Sequence, residues 1–312
     1  MTVDIIAAAR QVLQLRYWQH LLNEDLKQKR FRVPVHLAMG HEALAVAVSA
    51  AMSESDQMAL THRNVAYNLA RAGSLGPVRL EYESSAAGAA AGVLGSMNLI
   101  NPKRGIVYTS SILGNNLPVA CGLAMARITG GERSVVFALT GDGAMEEGAF
   151  YESLVFARSH DLPVVFVVEN NDHSLASKIA ERRCPIRIPA LCDALGIQYT
   201  LLEGNHTGEY CATMAAVRRY AFDSGPVCVE AIVTTFSNHA GPTPGWASDP
   251  KTISIERGLV IEESQRDPVW AARQILDPAD YDMTSDYLIR LGKSLSGGEL
   301  AKEEPCLITS AK

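Results

Sequence analysis

The feature that most constrains the fold is an alternation of short apolar, β-branched runs with segments of helical length, beginning near residue 105. The runs cover residues 105–109, 134–140, 163–169, 197–202 and 226–235, and the helical segments 116–128, 146–160 and 208–222 lie among them. Strands that alternate with helices pair in parallel, and runs that are apolar throughout are covered on both faces. The sequence therefore predicts an α/β fold: a doubly wound, mostly parallel sheet flanked by helices.

Both ends of the chain are predicted to be helical. Between residues 4 and 28, apolar side chains recur at steps of three and four, which is typical of an amphipathic helix capped by Asp4. This helix packs either on its own domain or on another subunit. Further helices are predicted from Glu42 and over 253–274, and the small-residue stretch 86–95 is predicted to be a close-packed or mobile loop. We predict one domain over 1–312, with a helical extension (1–35), an α/β core (36–245) and a helical C-terminal segment (250–312).

Composition excludes several classes of partner. The chain has 28 Lys and Arg against 34 Asp and Glu, a net charge of −6, so no basic surface predicts binding to nucleic acid or to an anionic membrane. The six cysteines form no CxxC pair and are predicted to be free thiols of a reducing compartment. The N-terminus has no basic region before an apolar run, so a cytoplasmic protein is expected.

One glycine turn carries the clearest sign of chemistry. The stretch SVVFALTGDGAMEEG (134–148) reads as a strand, a tight turn and a helix start, a layout that binds phosphate on backbone amides. Asp142 lies between the two glycines, where a carboxylate would repel a phosphate unless a cation lay between them. Asn171 follows the next strand, 29 residues later (171 − 142), so both side chains are expected at the same sheet edge. Mg²⁺ prefers a carboxylate together with phosphate oxygens, and the turn is predicted to be a metal-bridged diphosphate site.

Two common phosphate-binding motifs do not fit this turn. A dinucleotide-binding GxGxxG pattern requires a glycine where Glu146 stands, and no P-loop lysine follows. Glu146 and Glu147 are predicted to be first-turn residues favoured by the helix dipole. A glycine turn without any ligand stays open as an alternative.

The GDG turn followed by NN resembles the signature of thiamine diphosphate enzymes. More closely, residues 10 to 275 resemble the alpha subunits of 2-oxo acid dehydrogenases, the pyruvate, acetoin and branched-chain enzymes. The segments that carry the resemblance, in the order of the family, are HLAMGHEA (36–43, like HLxxGQEA), THR (61–63), GSMNL (95–99, like GSMH), ILGNNLP (112–118, like IVGxxxP), ENNDHS (169–174) and FSNHAGP (236–242). The resemblance implies a thiamine diphosphate-binding fold of the diphosphate-binding type.

The resemblance also implies roles for individual residues. Magnesium would be bound by the side chains of Asp142 and Asn171 and by the carbonyl of His173. Arg63 would contact the diphosphate, although a surface salt bridge is its alternative. Leu113 would support the bent cofactor, although it could equally be a core residue. The full set of predicted cofactor-binding residues is His62, Arg63, Ser111, Leu113, Gly141, Asp142, Gly143, Ala144, Asn171 and His173.

Histidines are the predicted catalytic residues. His239 and His36 are expected to move or hold protons near the reacting carbon, because histidine titrates near neutrality. His41 stands where glutamine is usual, and it is predicted to be structural or exposed, as are three other histidines: His20, His160 and His206. Asn98 replaces the GSMH histidine and Gly241-Pro242 replaces a second one, which puts the acyl acceptor in doubt.

Three functions follow from these observations. The first is the alpha subunit of a thiamine diphosphate- and Mg²⁺-dependent 2-oxo acid dehydrogenase, which decarboxylates a 2-oxo acid and transfers the acyl group to lipoamide on a lipoyl acyltransferase. The second is a subunit of a carboligase or transketolase-like enzyme, and the third is a non-catalytic regulatory subunit. No second strand–helix series follows residue 235. The resemblance implies a second domain that binds the cofactor's pyrimidine and activates it with a glutamate, and a beta-type partner is expected to supply both.

Overall fold

A six-stranded parallel sheet forms the centre of the protein. The computed structural model describes residues 4–240 and 253–295, with 291–295 as backbone only. The strands are β1 (Gln57–Thr61), β2 (Ile106–Ser110), β3 (Val136–Gly141), β4 (Val164–Asn170), β7 (Gln198–Leu202) and β8 (Val227–Ile232), in the order β2-β1-β3-β4-β8-β7. All neighbouring pairs in this sheet are parallel. A separate two-stranded hairpin pairs β5 (His173–Ser174) with β6 (Ser177–Lys178). The predicted fold class is confirmed.

Eleven helices lie within the described residues. They are α1 (Ile5–Lys27), α2 (Glu42–Ala51), α3 (Val65–Ala72), α4 (Gly76–Tyr82), α5 (Asn116–Thr129), α6 (Gly148–Ser159), α7 (Ile179–Arg182), α8 (Ile188–Leu195), α9 (Thr207–Ser224), α10 (Pro268–Arg273) and α11 (Pro278–Leu295). Of the predicted helices, those in α1, α2, α5, α6 and α9 are present within a few residues. None of the described helices combines the length and the apolarity needed to cross a bilayer.

The sheet is covered on both faces because its strands alternate between two hydrophobic clusters. In β4, Val165 and Val167 face the cluster that contains α1, α2 and α9, whereas Val164 and Phe166 face the cluster that contains α5, α6 and α8. All four side chains are fully buried. This two-sided burial is why the strand is apolar at every position instead of at alternate ones.

The predicted helix over 253–274 is wrong. A short 3-10 turn covers Ile255–Arg257, and regular helix returns only at α10. The buried carboxylate of Asp267 organises this part of the chain, because it accepts hydrogen bonds from the backbone N–H groups of Ile261, Glu262 and Val269. Helix α11 lies in the C-terminal segment 250–312, which was predicted to be helical. Four features of the sequence analysis lie outside the described residues: Gly241, Pro242, the boundary at residue 245 and Cys306.

The N-terminal helix packs on its own chain. Most of α1 is buried, and Arg16 at its centre is fully enclosed. Its guanidinium pairs with Glu42 at 2.6 Å and with Asp267 at 3.0 Å. Two carboxylates share one buried cation, so each charge has a hydrogen-bonded partner, as burial requires. Of the two predicted packings of α1, the structure shows the intramolecular one.

The stretch 86–95, predicted to be a close-packed or mobile loop, has five exposed residues out of ten, and Val93 is 80% exposed. Glu81, fully buried at the end of α4, accepts the backbone N–H groups of Ala90, Gly92, Leu94 and Gly95. One carboxylate therefore satisfies four backbone donors of a segment that has no ladder of its own. The five described cysteines are free thiols, as predicted.

Candidate active site

The carboxyl ends of β1, β2, β3 and β4 open into one cavity of about 280 Å³. All twelve predicted site residues line it: His36, His62, Arg63, Ser111, Leu113, Gly141, Asp142, Gly143, Ala144, Asn171, His173 and His239. Parallel sheets place ligands at this edge because loops from several strands converge there. The structure thus brings the predicted residues together, while their roles stay predictions. Asn98 is exposed and is not among the residues that line the cavity.

Asp142 and Asn171 follow neighbouring strands. Gly141, at the end of β3, pairs with Glu169 near the end of β4. Asp142 directly follows β3, Asn171 directly follows β4, and both line the same cavity. Asp142 is buried and begins a short 3-10 turn, Asp142–Glu146, after which α6 starts at Gly148. The Asn171 side-chain oxygen accepts the backbone N–H of His173 at 3.0 Å. A carboxylate and an amide oxygen therefore lie at one edge of the sheet.

A guanidinium group occupies the position beside Asp142. Arg182, the last residue of α7, donates to Asp142 Oδ2 at 2.6 Å and to Glu146 at 2.7 Å. Burial raises the pKa of the Asp142 carboxyl, and the Arg182 charge opposes that shift. The cavity thus holds a positive charge against this carboxylate. The sequence analysis missed Arg182 because no local pattern links residues 40 positions apart (182 − 142).

Arg63 is a buried cation with no ion pair among the residues that the structure describes. Its guanidinium donates to two backbone carbonyls, those of Leu37 and His239. Burial lowers the pKa of Arg63 to about 10, although Glu169 opposes the shift. The alternative that Arg63 makes a surface salt bridge is therefore wrong. A buried charge that contacts only carbonyls is costly until an anion pairs with it, and Arg63 faces the cavity.

Three histidines that are far apart in sequence pack with their rings edge to face or tilted against one another. The ring centroids of His36 and His62, and of His36 and His239, are 4.7 Å apart, and those of His62 and His239 are 5.1 Å apart. Burial lowers the pKa values to about 2 for His36, about 3 for His62 and about 4 for His239, with neighbouring positive charge as a further cause. The expectation that His36 and His239 titrate near neutrality is wrong for this structure, in which the three rings are neutral at pH 7.

A hydrogen-bonded chain behind the cavity includes residues that the sequence analysis did not assign to the site. Glu169 is buried and accepts from Tyr67 at 2.8 Å, and it bonds His41 Nδ1 at 2.9 Å. His41 Nε2 lies 2.8 Å from Thr235 Oγ1, which accepts from the Asn171 amide at 2.8 Å. His41 was expected to be structural or exposed; it is buried and lines the cavity. The sequence feature that could have assigned His41 to the site was its position next to Glu42 in the HEA segment.

Apolar side chains surround the mouth of the cavity. Leu113 is 46% exposed, so the alternative that it is a core residue is wrong. Ile112 is 70% exposed and Leu175 is 60% exposed, and both line the same cavity. Apolar groups that are grouped at a cavity mouth are typical of a surface that another molecule covers.

The parallel α/β fold and the cavity at the carboxyl edge of its sheet define a class of protein that binds its ligand at that edge. The family model of the dehydrogenase E1 component matches residues 10–262, which is most of the chain. The chain therefore belongs to the dehydrogenase E1 component family. The predicted resemblance to alpha subunits of 2-oxo acid dehydrogenases is confirmed.

Two relatives match most of the chain at 26% identity. The chain is 26% identical over 295 residues to the alpha subunit of acetoin:2,6-dichlorophenolindophenol oxidoreductase from Bacillus subtilis (strain 168), covering 92% of this chain and 85% of that protein. It is 26% identical over 252 residues to the pyruvate dehydrogenase E1 component subunit alpha from Rickettsia bellii (strain RML369-C), covering 80% of this chain and 75% of that protein.

Solved structures share the fold. Transketolase from Campylobacter jejuni subsp. jejuni NCTC 11168 superposes with a TM-score of 0.57 at 13% identity, covering 95% of this chain. A transketolase mutant from Pichia stipitis gives a TM-score of 0.57 at 16% identity, also over 95% of this chain. The chain spans 48% and 46% of these two transketolase chains, about half of each. At such identities the likeness shows the fold alone.

Proposed function

We propose that this chain is the alpha subunit of a thiamine diphosphate- and Mg²⁺-dependent 2-oxo acid dehydrogenase. It would take part in decarboxylation of a 2-oxo acid and in transfer of the acyl group to lipoamide on a lipoyl acyltransferase. Family membership supports the class, and the relatives are named as alpha subunits. The observation that carries the proposal is Arg63, a buried cation without an ion pair in the described part of the chain, which faces the same cavity as Asp142 and Asn171.

The donor set fits magnesium and a diphosphate. Asp142 and Asn171 would hold the metal through a carboxylate and an amide oxygen, ligands that Mg²⁺ prefers, together with the His173 carbonyl. Arg63 would pair with the diphosphate, with His62 beside it, and Gly143 and Ala144 would offer backbone amides. The Arg182 guanidinium lies 2.6 Å from the Asp142 carboxylate, so a positive charge is already held next to this carboxylate. Magnesium loading requires Arg182 to share or to leave that position.

The chain's own residues would manage hydrogen bonds and protons. Thiamine diphosphate, when bound, supplies the electron sink that decarboxylation needs. Neutral His36 and His239 each carry one N–H and one unprotonated ring nitrogen, so each can donate a hydrogen bond to a substrate oxygen and accept one from a donor. Leu113 and Ser111 also line the cavity, where they would contact the ring portion of the cofactor.

A beta-type partner would complete the site. The described residues contain one parallel sheet. Apart from Asp142, the acidic side chain that lines the cavity is Glu169, which is already hydrogen-bonded to Tyr67 and His41. The glutamate that activates the cofactor is therefore proposed to come from the partner. The apolar mouth around Ile112 and Leu175 supports an interface there.

The test is calorimetric titration of thiamine diphosphate into the complex of this chain and the protein that copurifies with it. Binding should require Mg²⁺ and disappear in chelator. Asp142→Asn and Arg63→Met should each weaken it about 10- to 100-fold, because hydrogen bonds to charged groups contribute about 1.5–3 kcal/mol. Arg219→Met, which removes an exposed guanidinium on α9, should leave binding unchanged.

Activity is then measured on the same complex with pyruvate, branched-chain 2-oxo acids and acetoin. Turnover of a 2-oxo acid supports the proposal. Turnover of acetoin alone would place the substrate outside the proposed class, and cofactor binding that ignores both chelator and Arg63→Met would overturn the site.

A further inference from the structure

Three histidines whose rings pack edge to face or tilted form a metal-ligand cluster that does not include the carboxylate of Asp142. His36 lies in the segment before α2, His62 follows β1, and His239 follows β8. Their ligand nitrogens all lie within 4.8 Å of one another. We propose that His36, His62 and His239 form a binding site for a divalent transition metal of the zinc class, distinct from the magnesium site.

The chemistry of the ligands selects the metal. Three imidazoles with no carboxylate among them suit Zn²⁺, Co²⁺, Ni²⁺ or Cu²⁺, whereas Mg²⁺ prefers oxygen ligands. Imidazole binds metals through an unprotonated ring nitrogen, and the three rings already lie edge to face or tilted against one another. His36 is 6% exposed, and its Nδ1 has no hydrogen-bond partner within the described part of the chain. A buried ring nitrogen without a partner is a group that a metal would satisfy.

The geometry needs only a modest adjustment. Two nitrogens on one tetrahedral zinc lie about 3.3 Å apart when each Zn–N bond is about 2.0–2.1 Å. The limit of 4.8 Å between the ligand atoms means that rotations of the three side chains suffice to close the site. His62 and His239 are half-buried and line the open cavity, so an ion can enter from solvent.

The cavity also provides the fourth ligand. Three protein ligands leave one tetrahedral position open, which a water, hydroxide or carboxylate takes in zinc sites of this kind. The buried guanidinium of Arg63 donates to the carbonyl of His239, next to the cluster. An anionic fourth ligand between the metal and Arg63 would offset the repulsion between these two positive charges.

A metal bound at this site would occupy one ring nitrogen of each histidine, and these nitrogens would then be unavailable to a substrate in the cavity. A zinc-class ion would therefore inhibit any reaction that uses His36 or His239, and Mg²⁺ would not relieve the inhibition because it binds elsewhere. The binding proposal itself does not depend on the reaction, so it is tested on the purified chain without cofactor.

The experiment is a titration of the purified, chelator-treated chain with Co²⁺, followed by visible absorption. Nitrogen-ligated cobalt of low coordination number absorbs far more strongly than octahedral cobalt with oxygen ligands, so the signal reports this site and not Asp142. We expect one equivalent to produce the bands and Zn²⁺ to abolish them. His62→Gln and His239→Gln should each weaken binding at least ~10-fold, the lower end of the loss seen when even outer partners of a metal ligand are removed.

Two controls separate the alternatives. His160→Gln, at the exposed end of α6, and Asp142→Asn should both keep the bands. X-ray absorption of the zinc-loaded wild-type chain should show about three imidazoles, a measurement that does not depend on any variant folding. Absence of the bands, their loss in His160→Gln, or their loss in Asp142→Asn would overturn the proposal, whatever the chain's enzymatic activity.

Discussion

At the residue scale, the orientation of the Asn171 side-chain amide decides whether its oxygen is available to a cation. The carboxylate of Glu169 accepts from His41, which assigns the ring proton to Nδ1 and leaves Nε2 as an acceptor. Thr235 then donates to Nε2 and accepts from the Asn171 amide nitrogen. The chain of bonds from Glu169 to Asn171 holds the Asn171 nitrogen on Thr235 Oγ1, and the Asn171 oxygen accepts the His173 N–H. His41 is therefore a positioning residue for Asn171.

We predict that His41→Leu weakens Mg²⁺-dependent binding of thiamine diphosphate by about 10- to 100-fold, the usual cost of losing an outer partner of a metal ligand. Leucine leaves both Glu169 and Thr235 without their partner, so Asn171 is free to rotate. His41→Gln should restore most of the affinity, because its amide offers the same donor and acceptor as neutral imidazole. The measurement is calorimetric titration at several Mg²⁺ concentrations. Equal affinity in both variants would show that His41 is only a packing residue.

At the element scale, α1 carries buried polar groups through the core. Gln19 and Arg16 are bonded to Glu42, but both ring nitrogens of His20 have no hydrogen-bond partner among the described residues. Burial lowers the pKa of His20 to about 3, and the charges of Arg16 and Lys27 add to the shift. The ring is thus neutral in the folded protein over a range of pH in which the unfolded chain protonates it.

This shift predicts acid sensitivity with a definite sign. The pKa of His20 is lower in the folded state than in the unfolded state, so its contribution is fully present above about pH 6.5, the usual histidine value. It is lost as the pH falls toward 3, the folded-state value. Between about pH 7 and about pH 4.5 the loss is roughly 3 kcal/mol in the free energy of unfolding. Urea unfolding at both values should therefore show a smaller acid loss for His20→Gln than for the wild type.

The matched control is His206→Gln, an exposed histidine before α9. It should follow the wild-type dependence, including the part that comes from His36, His62 and His239. If the two variants lose the same stability on acidification, His20 does not titrate as its burial predicts.

At the scale of the whole molecule, the cavity is only partly enclosed by this chain. Ile112, Leu113 and Leu175 expose apolar surface around its mouth, next to the side chains of Asp142 and Arg63. Burying an exposed leucine or isoleucine contributes about 1.5–3 kcal/mol, which favours association at this point. A second chain seated there would exclude water from the cavity and complete the set of catalytic groups.

We predict that the rigorously isolated chain does not decarboxylate any 2-oxo acid and that adding the copurifying partner restores turnover. Leu113→Asp should weaken the association measured by analytical ultracentrifugation, because it places a charge in the apolar mouth. Val155→Asp, at an exposed apolar position on α6, serves as the matched control and should associate normally. Robust turnover by the isolated chain would contradict the shared-site arrangement.

The parts of this protein that sequence alone predicted are those with a local signal. Apolar runs such as 163–169 identify strands because burial on both faces leaves no polar position, and Asp142 and Asn171 could be paired because parallel strands end at one edge. The segment 253–274 was misassigned because its conformation depends on the buried carboxylate of Asp267 within it and on the ion pair of that carboxylate with the distant Arg16 of α1. Its apolar spacing resembles a helix that the tertiary contacts override.

Tertiary structure alone decided how the site residues contact one another. Three arrangements join residues that are far apart in sequence. They are the ring contacts of His36, His62 and His239, the ion pair of Arg182 with Asp142, and the series of hydrogen bonds from Glu169 to Asn171. The same burial that brings the histidines together lowers their pKa values and leaves Arg63 without an ion pair among the described residues. Composition and spacing report which side chains are present and at which strand end, whereas charge state and partner depend on desolvation by neighbours that only the folded chain supplies.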